Sequence, residues 1–332
     1  MIVASKINKC LPWQMDQWQK LRQGIESERF PHAIIIGGEA DTGKALFSDF
    51  IAAFLFCKKE GREQACGECA ECRYYQAGSH PDFRLVEPEK EGGIITVNQI
   101  RELSSFFSMS SQMMGYKIAI IRPADRMNTN AANSLLKTLE EPAGKSLIIL
   151  VSDLPLSLPA TIRSRCQMVE SSIDDHKSIT DWVSQQQQEQ SIEKIEDALA
   201  AVSGRPLAAI EFLKPEYQEN RLSVLQEFES ALLSNKNILD TAKKWSSVNT
   251  KEVLEFLISW AIDIAIYKST ENTEMLKNRD IRQRIITISN NLELKSVIAF
   301  SEKAMEARRF IDRKVNVQLL LEELLVTCSN KK

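Results

Sequence analysis

A glycine-rich loop between an apolar run and a helix-like segment constrains the fold more than any other feature. Residues 33–36 are Ala-Ile-Ile-Ile, which predicts a buried strand, and residues 45–56 have the pattern of a helix. The loop between them, 38–45, reads G-E-A-D-T-G-K-A and matches the phosphate-binding pattern G-x-x-x-x-G-K. In such a loop, backbone N–H groups and the helix N-terminus hold phosphate oxygens. The candidate phosphate-binding residues are Gly38, Thr42, Gly43 and Lys44.

Two departures remove the metal chemistry that normally accompanies this loop. Ala45 stands where a working loop has Ser or Thr, whose hydroxyl binds Mg²⁺. Residues 117–121 predict another buried strand, but Arg122 and Pro123 follow it instead of the acidic pair that binds the metal and positions the attacking water. The nearest acid, Asp125, is out of register. We therefore expect poor ATP hydrolysis and weak or no nucleotide binding, with Mg²⁺-independent binding left as a hypothesis.

Length, charge and composition limit the classes of protein that this chain can be. Its 332 residues are enough for two or three domains. The formal net charge of −3 gives no global basic field, so tight independent binding of DNA is not expected. The amino terminus lacks the apolar core of a signal peptide and no stretch has the length of a membrane span, so we expect a cytoplasmic protein without a membrane partner. Its seven cysteines should then be reduced.

Four cysteines are spaced like the ligands of one metal ion. Cys57, Cys66, Cys69 and Cys72 include two overlapping C-x-x-C steps, which can place thiolates around a single ion. We interpret them as a structural Zn²⁺ site, because four protein ligands leave no open position for catalysis. His80 is an alternative to Cys57 as the fourth ligand, and iron is an alternative to zinc. A disulfide pair or unrelated thiols are the alternatives without a metal.

Glycine and proline divide the chain into two parts. All twelve glycines lie at or before Gly204, and no proline follows Pro215. A long stretch without these residues suits helices better than the tight turns of a β-domain. Apolar residues also recur at helical spacing within 253–266 and 315–324. The last third is therefore predicted to be all helical, with these residues in the core of a helix bundle.

The first half has the opposite character. Short apolar runs at 33–36, 117–121 and 147–151 are separated by helical or turn-rich segments. This alternation predicts an α/β domain with a mainly parallel sheet and helices on both faces. Between the two parts, segments around 177–190 and 192–201 predict a small helical lid.

Three motifs together resemble one known family. Residues 133–142 read N-S-L-L-K-T-L-E-E-P, residues 164–166 read S-R-C, and the cysteine knuckle (57–72) is inserted after the helix of the phosphate-binding loop. In this combination the chain is similar to bacterial clamp-loader subunits of the AAA+ class, and the likeness covers nearly the whole chain. The resemblance implies an AAA+ P-loop module at 1–168, a small helical lid at 169–212 and an all-α oligomerisation collar at 213–332.

The resemblance also implies roles for single residues. In the family the arginine of S-R-C, here Arg165 beside Ser164, projects into the ATP site of the neighbouring subunit as a trans arginine finger. Its planar guanidinium can neutralise charge that develops on the transferred phosphate. Without the motif, Arg165 would be interpreted as an ordinary surface ion-pair residue. Ser152 falls at the sensor-1 position, and Leu207, which cannot bind phosphate, stands where active relatives have the sensor-2 arginine; Arg205 lies close by in the sequence.

The function implied by the resemblance is that of a non-hydrolysing stator in the clamp loader of a DNA polymerase III holoenzyme, a DNA-directed DNA polymerase (EC 2.7.7.7). Its partners would be the ATPase motor subunits and the delta subunit of a hetero-pentamer, a ring-shaped sliding clamp and primed-template DNA. The alternatives are an active ATP-hydrolysing motor subunit of the same loader, a zinc-containing DNA-binding module with a vestigial AAA+ fold, and an ATPase of another kind such as a helicase loader.

Overall fold

The computed structural model describes residues 9–90, 92–142, 144–234, 238–311 and 316–329. Contacts within the chain divide it into two units, Met1–Ile179 and Thr180–Lys332. The first unit contains the parallel sheet and the candidate site residues.

Five parallel strands form the sheet of the first unit. They are β1 (Ala33–Gly37), β2 (Phe83–Val86), β3 (Lys117–Ile121), β4 (Ser146–Ser152) and β5 (Gln167–Glu170). Their order is β2-β3-β4-β1-β5, so β1 lies between β4 and β5. The three strands expected from apolar runs are confirmed, and β2 and β5 are additional strands at the two edges. The chain leaves β1 for the far edge of the sheet, and in parallel sheets ligands bind at the carboxyl ends of strands where the order changes direction in this way.

Successive residues of the central strand point to opposite faces of the sheet, and each face has its own core. Ile34 and Ile36 pack into one core together with Phe50, whereas Ile35 packs into the other core together with Leu135. All of these side chains have at most 1% of their surface exposed. Burial on both faces explains why the central strands are continuous apolar runs rather than alternating ones.

Helices cover both faces, as the sequence predicts. Residues of the first three helices lie in the core of Ile34, and residues of the next three lie in the core of Ile35. The helices of this region are α1 (Met15–Glu26), α2 (Lys44–Phe56), α3 (Ala70–Gln76), α4 (Val97–Ser108), α5 (Thr129–Glu140), α6 (Ala160–Arg163) and α7 (His176–Gln186), the last of which crosses the boundary of the two units.

Local signals set where two of these helices begin. Thr96 and Gln99 form a capping box at the start of α4. The Thr96 side chain accepts the Gln99 backbone N–H, and Gln99 Oε1 accepts the Thr96 backbone N–H at 2.9 Å. The Asn128 side chain accepts a hydrogen bond from the Ala131 N–H at the start of α5, at 2.8 Å. Proline at 142 follows the end of α5 and is compatible with its termination.

The second unit consists of helices and short 3₁₀ turns in its described residues, which confirms the expectation for the last third of the chain. Val253, Leu254, Leu257 and Trp260 are fully buried in its core. The helices are α8 (Ile192–Ala201), α9 (Pro206–Phe212), α10 (Pro215–Ser234), α11 (Ile238–Ser246), α12 (Thr250–Thr270), α13 (Arg282–Ser289), α14 (Leu294–Phe310) and α15 (Val317–Ser329). The finer division into a lid at 169–212 and a collar at 213–332 stays a prediction.

A buried arginine joins three segments of the second unit. Arg221 of α10 has only 1% of its side chain exposed, and its guanidinium lies 2.5 Å from the Asp280 carboxylate. The same group donates to the Asn278 side chain at 2.8 Å and lies over the Phe212 ring of α9. A buried charge of this kind requires such partners, so this contact fixes the start of α10 against its neighbours.

Helices long and apolar enough to cross a membrane do not occur in the part of the chain that the structure describes.

Replacing the buried Leu257 by alanine tests the core of the second unit. Leu257 has 0% of its surface exposed in the middle of α12. We expect Leu257→Ala to lower the free energy of unfolding of this unit by ~2–5 kcal/mol, because it removes buried methyl groups and leaves a cavity. Native-state hydrogen exchange of α12 amides measures this. Leu239→Ala is the matched control: Leu239 is 65% exposed, and a change there should cost less than about 0.5 kcal/mol.

Candidate functional site

The phosphate-binding loop follows β1 and leads into α2, and two glycines allow its close approach to the neighbouring chain segments. Gly38 has a φ of +150°, and a Cβ there would lie 2.6 Å from the Ser171 carbonyl oxygen. Gly43 has a φ of +86°, and a Cβ there would lie 2.2 Å from Leu11 Cδ1. Both positions therefore require glycine, for conformation and for space. Glycine at these two positions agrees with the phosphate-binding pattern, and the binding of phosphate by the loop stays a prediction.

Lys44, the candidate phosphate-binding lysine, is already paired inside the chain. Its side chain is 3% exposed, and Nζ lies 2.7 Å from Asp153 Oδ1. Nζ also donates a hydrogen bond to the Glu39 carbonyl oxygen. Asp153 is 48% exposed and reaches Lys44 from the solvent side. The charge that would hold a phosphate is therefore neutralised by a carboxylate of the same chain.

Thr42 is likewise held by its surroundings. Its Oγ1 donates to the Glu39 carbonyl oxygen at 2.9 Å, and its own carbonyl oxygen accepts a hydrogen bond from Trp13 Nε1 at 2.9 Å. Trp13 belongs to a 3₁₀ turn, Pro12–Gln14, that packs against the loop. The amino-terminal turn thus fixes the loop from outside.

Arg122 occupies the end of β3, where an ATPase of this fold has its metal-binding acid. Its Nη1 lies 3.0 Å from Asp49 Oδ2 of α2, and its Nε lies 2.8 Å from Glu87 Oε1. Burial alone would lower the pKa of Arg122, but the Asp49 charge and the hydrogen bond to Glu87 raise it above its ordinary value. A guanidinium with two carboxylate partners stands at this position, and it has no lone pair with which to bind a divalent metal.

Asp125 and Ser152 contact each other. Asp125 lies in a 3₁₀ turn after β3, and its Oδ1 accepts the Ser152 hydroxyl at 2.8 Å. The same oxygen accepts the Asp153 backbone N–H at 3.1 Å. This hydrogen bonding holds the end of β4, including the carboxylate that pairs with Lys44. Asp125 therefore positions the end of β4.

Leu207, at the position where active relatives have the sensor-2 arginine, and the nearby Arg205 lie in the second unit. Arg205 donates its Nε–H to the Val202 carbonyl oxygen at 2.9 Å, within its own turn. Leu207 is part of α9, whose start lies at Pro206. The position expected to carry the sensor-2 arginine thus presents an apolar side chain.

Arg165 lies just after α6 and pairs with the end of α5. Its Nη2 is 2.5 Å from Glu140 Oε1, and the two side chains are 35% and 49% exposed. Its Nη1 donates to the Thr161 carbonyl oxygen at 2.9 Å and lies 3.4 Å from Ser164 Oγ. The two motifs N-S-L-L-K-T-L-E-E-P and S-R-C therefore meet in space through one partly exposed ion pair.

The four cysteines form one cluster whose dimensions fit a metal ion. Cys57, Cys66, Cys69 and Cys72 have their sulfur atoms within 4.8 Å of one another. The Sγ atoms of Cys66 and Cys72 are 3.9 Å apart, close to the ~3.8 Å edge of a tetrahedron with Zn–S bonds of ~2.3 Å. The cluster could therefore hold a metal ion with four thiolate ligands.

Backbone N–H groups surround two of the sulfur atoms and favour the thiolate form of Cys66, whereas burial raises the pKa of Cys72. The Cys66 N–H donates to Cys57 Sγ at 3.3 Å, and the Cys69 N–H donates to Cys66 Sγ at 3.4 Å. Hydrogen bonds from the backbone of Glu68 and Cys69 lower the pKa of Cys66 to about 6. Such hydrogen bonds are compatible with bound thiolates and prepare the site for a cation.

His80 is not among the residues that could share this ion. Its Nε2 lies 2.8 Å from Glu71 Oε2, and its Nδ1 accepts the Asp82 backbone N–H at 3.1 Å. Both ring nitrogens are therefore engaged elsewhere, and Cys57 completes the cluster.

Three acidic partners at this site have no sequence motif. Asp49, Glu87 and Asp153 neutralise Arg122 and Lys44, yet none lies at a spacing that a nucleotide-binding pattern defines. The one available signal was Arg122 itself, because a buried cation at a strand end requires carboxylates nearby.

Comparisons with known proteins match both units. The family described as "DNA polymerase III, delta subunit" matches residues 13–174, and the family described as "DNA polymerase III, delta subunit, C terminal" matches residues 215–330. DNA polymerase III subunit delta' of Pseudomonas aeruginosa is 32% identical over 317 residues, which cover 95% of this chain and 96% of the relative. The protein of the same name from Bacillus subtilis is 30% identical and covers 92% of this chain and 93% of the relative.

A related protein of another name matches part of the chain. DNA polymerase III subunit tau of Bacillus subtilis is 31% identical over 147 residues, which cover 44% of this chain and 26% of the relative. The fold and the loop define a parallel α/β module in which a loop of phosphate-binding sequence pattern joins β1 to α2. The matches over both units show that the chain belongs to the delta' family of DNA polymerase III.

Metal content tests the cysteine cluster. We expect the purified chain to contain one equivalent of zinc, and Cys72→Ser to lose it together with thermal stability, because three thiolates hold the ion far less well than four. Cys166→Ser is the matched control, since Cys166 lies outside the cluster and should leave metal content unchanged. Elemental analysis and thermal denaturation measure both effects. Full metal content in Cys72→Ser would contradict the assignment.

Removing the Asp153 carboxylate tests the pairing of Lys44. Asp153→Asn leaves a buried cation without its charged partner, so the phosphates of ADP become the favoured counter-ion. We expect ADP affinity without Mg²⁺ to rise about tenfold, which is the effect of one hydrogen bond to a charged group. Calorimetric titration measures it. Asp240→Asn, an equal change of charge on α11, should have no effect; an unchanged affinity in Asp153→Asn would show that Asp153 does not compete with phosphate.

Proposed function

We propose that this chain is a non-hydrolysing stator subunit of the DNA polymerase III clamp loader and that it supplies Arg165 as a trans arginine finger to a neighbouring ATPase subunit. Its own phosphate-binding loop keeps its shape for structural reasons. The neighbouring subunit binds and hydrolyses ATP, and this chain completes that site.

One observation supports the absence of hydrolysis above all others: the charged groups at the carboxyl edge of the sheet are paired with each other. Lys44 is paired with Asp153, and Arg122 is paired with Asp49 and Glu87. Phosphoryl transfer requires a metal ion and a group that orients the attacking water. A guanidinium at the position of the metal ligand can do neither, which also disfavours an active motor subunit.

Arg165 has the properties that a trans finger needs. Its side chain is partly exposed, and its partner Glu140 is more exposed still. An ion pair in contact with solvent contributes only about 0–1 kcal/mol. Exchange of Glu140 for the phosphates of a bound nucleotide is therefore favourable, because a planar guanidinium can donate two parallel hydrogen bonds to them. Ser164, adjacent to it, donates to the Thr161 carbonyl oxygen and stabilises this turn.

The metal at Cys57, Cys66, Cys69 and Cys72 is proposed to be Zn²⁺ in a structural role. Four thiolates match the ligand preference of zinc and leave it without an open position. When bound, zinc would tie the segment after α2 to α3. The ion takes no part in phosphoryl transfer.

The partners follow from membership of this family. We propose that the helical second unit assembles with ATPase motor subunits and the delta subunit in a hetero-pentamer in the cytoplasm. The assembly would load a ring-shaped sliding clamp onto primed-template DNA. The net charge of −3 gives the chain no strong field for binding DNA alone, so DNA contact would be made within the assembly.

The finger is tested by ATP hydrolysis of the assembled loader with clamp and primed DNA. Arg165→Ala should leave assembly intact and reduce hydrolysis at the neighbouring site, by as much as the ~10³–10⁵-fold effect of such fingers. Single-turnover kinetics resolve that one site from the others. Arg163→Ala is the matched control, because Arg163 lies on the same short helix and donates to the Leu158 carbonyl oxygen. Equal rates for Arg165→Ala and wild type would reject the proposal.

A further inference from the structure

A chain of buried hydrogen bonds starts beside the cysteine cluster. Glu71 lies on α3 between Cys69 and Cys72, and its side chain is 10% exposed. Its Oε2 accepts the Nε2–H of His80 at 2.8 Å, and His80 Nδ1 accepts the Asp82 backbone N–H at 3.1 Å. This pattern fixes the tautomer of His80, since one ring nitrogen must accept and the other must donate. The function proposed for this chain uses none of Glu71, His80 and Asp82.

Asp82 continues the chain into a loop between α4 and β3. It is fully buried, and its carboxylate accepts hydrogen bonds from the Ser111 hydroxyl at 2.8 Å and from the N–H groups of Gln112 and Met113, both at 2.9 Å. These N–H groups and the Ser111 hydroxyl, together with the charge of Lys117, outweigh the effect of burial and lower the pKa of Asp82. One carboxylate therefore holds three consecutive residues of this loop.

The loop that Asp82 holds displays an apolar side chain. Met114 is 94% exposed and has a positive φ of 54°, a conformation that costs free energy for a residue other than glycine. Gly115 donates its N–H to Ser111 Oγ at 3.2 Å, which closes the turn. Such a conformation persists only where surrounding contacts impose it, and here those contacts lead back to Asp82.

The cysteine segment also lies near the loop at a second point. Lys58 directly follows Cys57, and its Nζ lies 3.2 Å from the position that a Cβ on Gly115 would occupy. This proximity is separate from the hydrogen bonds that lead from Glu71 through His80 and Asp82 to the loop.

We propose that Glu71, His80 and Asp82 form a relay through which metal bound at the cysteine cluster orders residues 109–115. The proposal rests on metal binding at that cluster. Metal fixes the first turn of α3, which places the Glu71 carboxylate; Glu71 orients His80, and His80 sets the backbone of Asp82, whose carboxylate holds the loop. The hydrogen bonds from Glu71 to His80 and from His80 to Asp82 are buried, and those from Asp82 to the loop are partly buried. Water replaces a lost buried bond poorly, so a displacement at Glu71 changes the position of Asp82 and of the loop that it holds.

The relay gives the cysteine cluster a role beyond stabilising its own segment. It would keep the loop backbone in place, so that Met114 is presented to solvent in one conformation. Glu71, His80 and Asp82 are positioning residues in this account, because they act on the loop without touching any reacting group.

Hydrogen exchange of the Gln112 and Met113 amides in the full-length, metal-bound chain tests the relay. We expect Glu71→Ala, with all four cysteines present and zinc content unchanged, to speed exchange of these two amides by about threefold or more. Glu71→Gln should restore slow exchange, because its side-chain oxygen can still accept the His80 N–H. Amides of β3, such as Ile120, should exchange as in wild type in all variants.

The controls separate the relay from metal binding itself. Glu68→Ala removes the same charge from an exposed position in the knuckle and should leave loop exchange unchanged. Removal of zinc by a chelator should speed exchange of the loop amides in wild type but have little further effect on them in Glu71→Ala. Slow loop exchange in metal-bound Glu71→Ala would overturn the relay even if the cluster binds zinc. A chain without zinc would instead reject the metal assignment.

Discussion

The charges buried at the carboxyl edge of the sheet must be neutralised within the chain, and the rest of the site depends on this constraint. An active ATPase of this fold uses nucleotide and Mg²⁺ for that purpose. Here Asp153 neutralises Lys44, and Asp49 and Glu87 neutralise Arg122. Removal of Asp153 would leave the buried Lys44 ammonium without a carboxylate partner, whereas Arg122 would keep one partner if either Asp49 or Glu87 were removed. Pairing of these charges within the chain supports the proposed non-hydrolysing role.

The ion pairs at the sheet edge and the ion pair of Arg165 differ in burial. The pairs at the sheet edge involve a lysine and an arginine that are largely buried, whereas the Arg165 pair is partly exposed at both members. The difference in burial separates contacts that hold the fold from one that can be exchanged. The cysteine cluster adds a further fixed point after α2, so the helix that leaves the phosphate-binding loop is held at both ends.

The central strands and the cysteine cluster each have one strong signal in the sequence. The strands β1, β3 and β4 were predicted because burial on both faces makes them continuous apolar runs, and the cysteine spacing predicted the cluster. Strands β2 and β5 were missed because they are short edge strands with exposed or polar positions, such as Arg84 and Gln167. The partners of Lys44 and Arg122 could not be predicted, since Asp153 and Glu87 reach the site only through the order of strands. No local spacing records that order.

The account is tested most directly by the structure of the assembled loader with primed DNA and a non-hydrolysable ATP analogue. The decisive quantity is the distance from the Arg165 guanidinium to the γ-phosphate bound by the neighbouring subunit. We expect about 3 Å, the length of a hydrogen bond, with Arg165 released from Glu140 and with Lys44 still paired with Asp153. Arg165 still bound to Glu140, together with Mg²⁺ and nucleotide in this chain's own loop, would contradict the account.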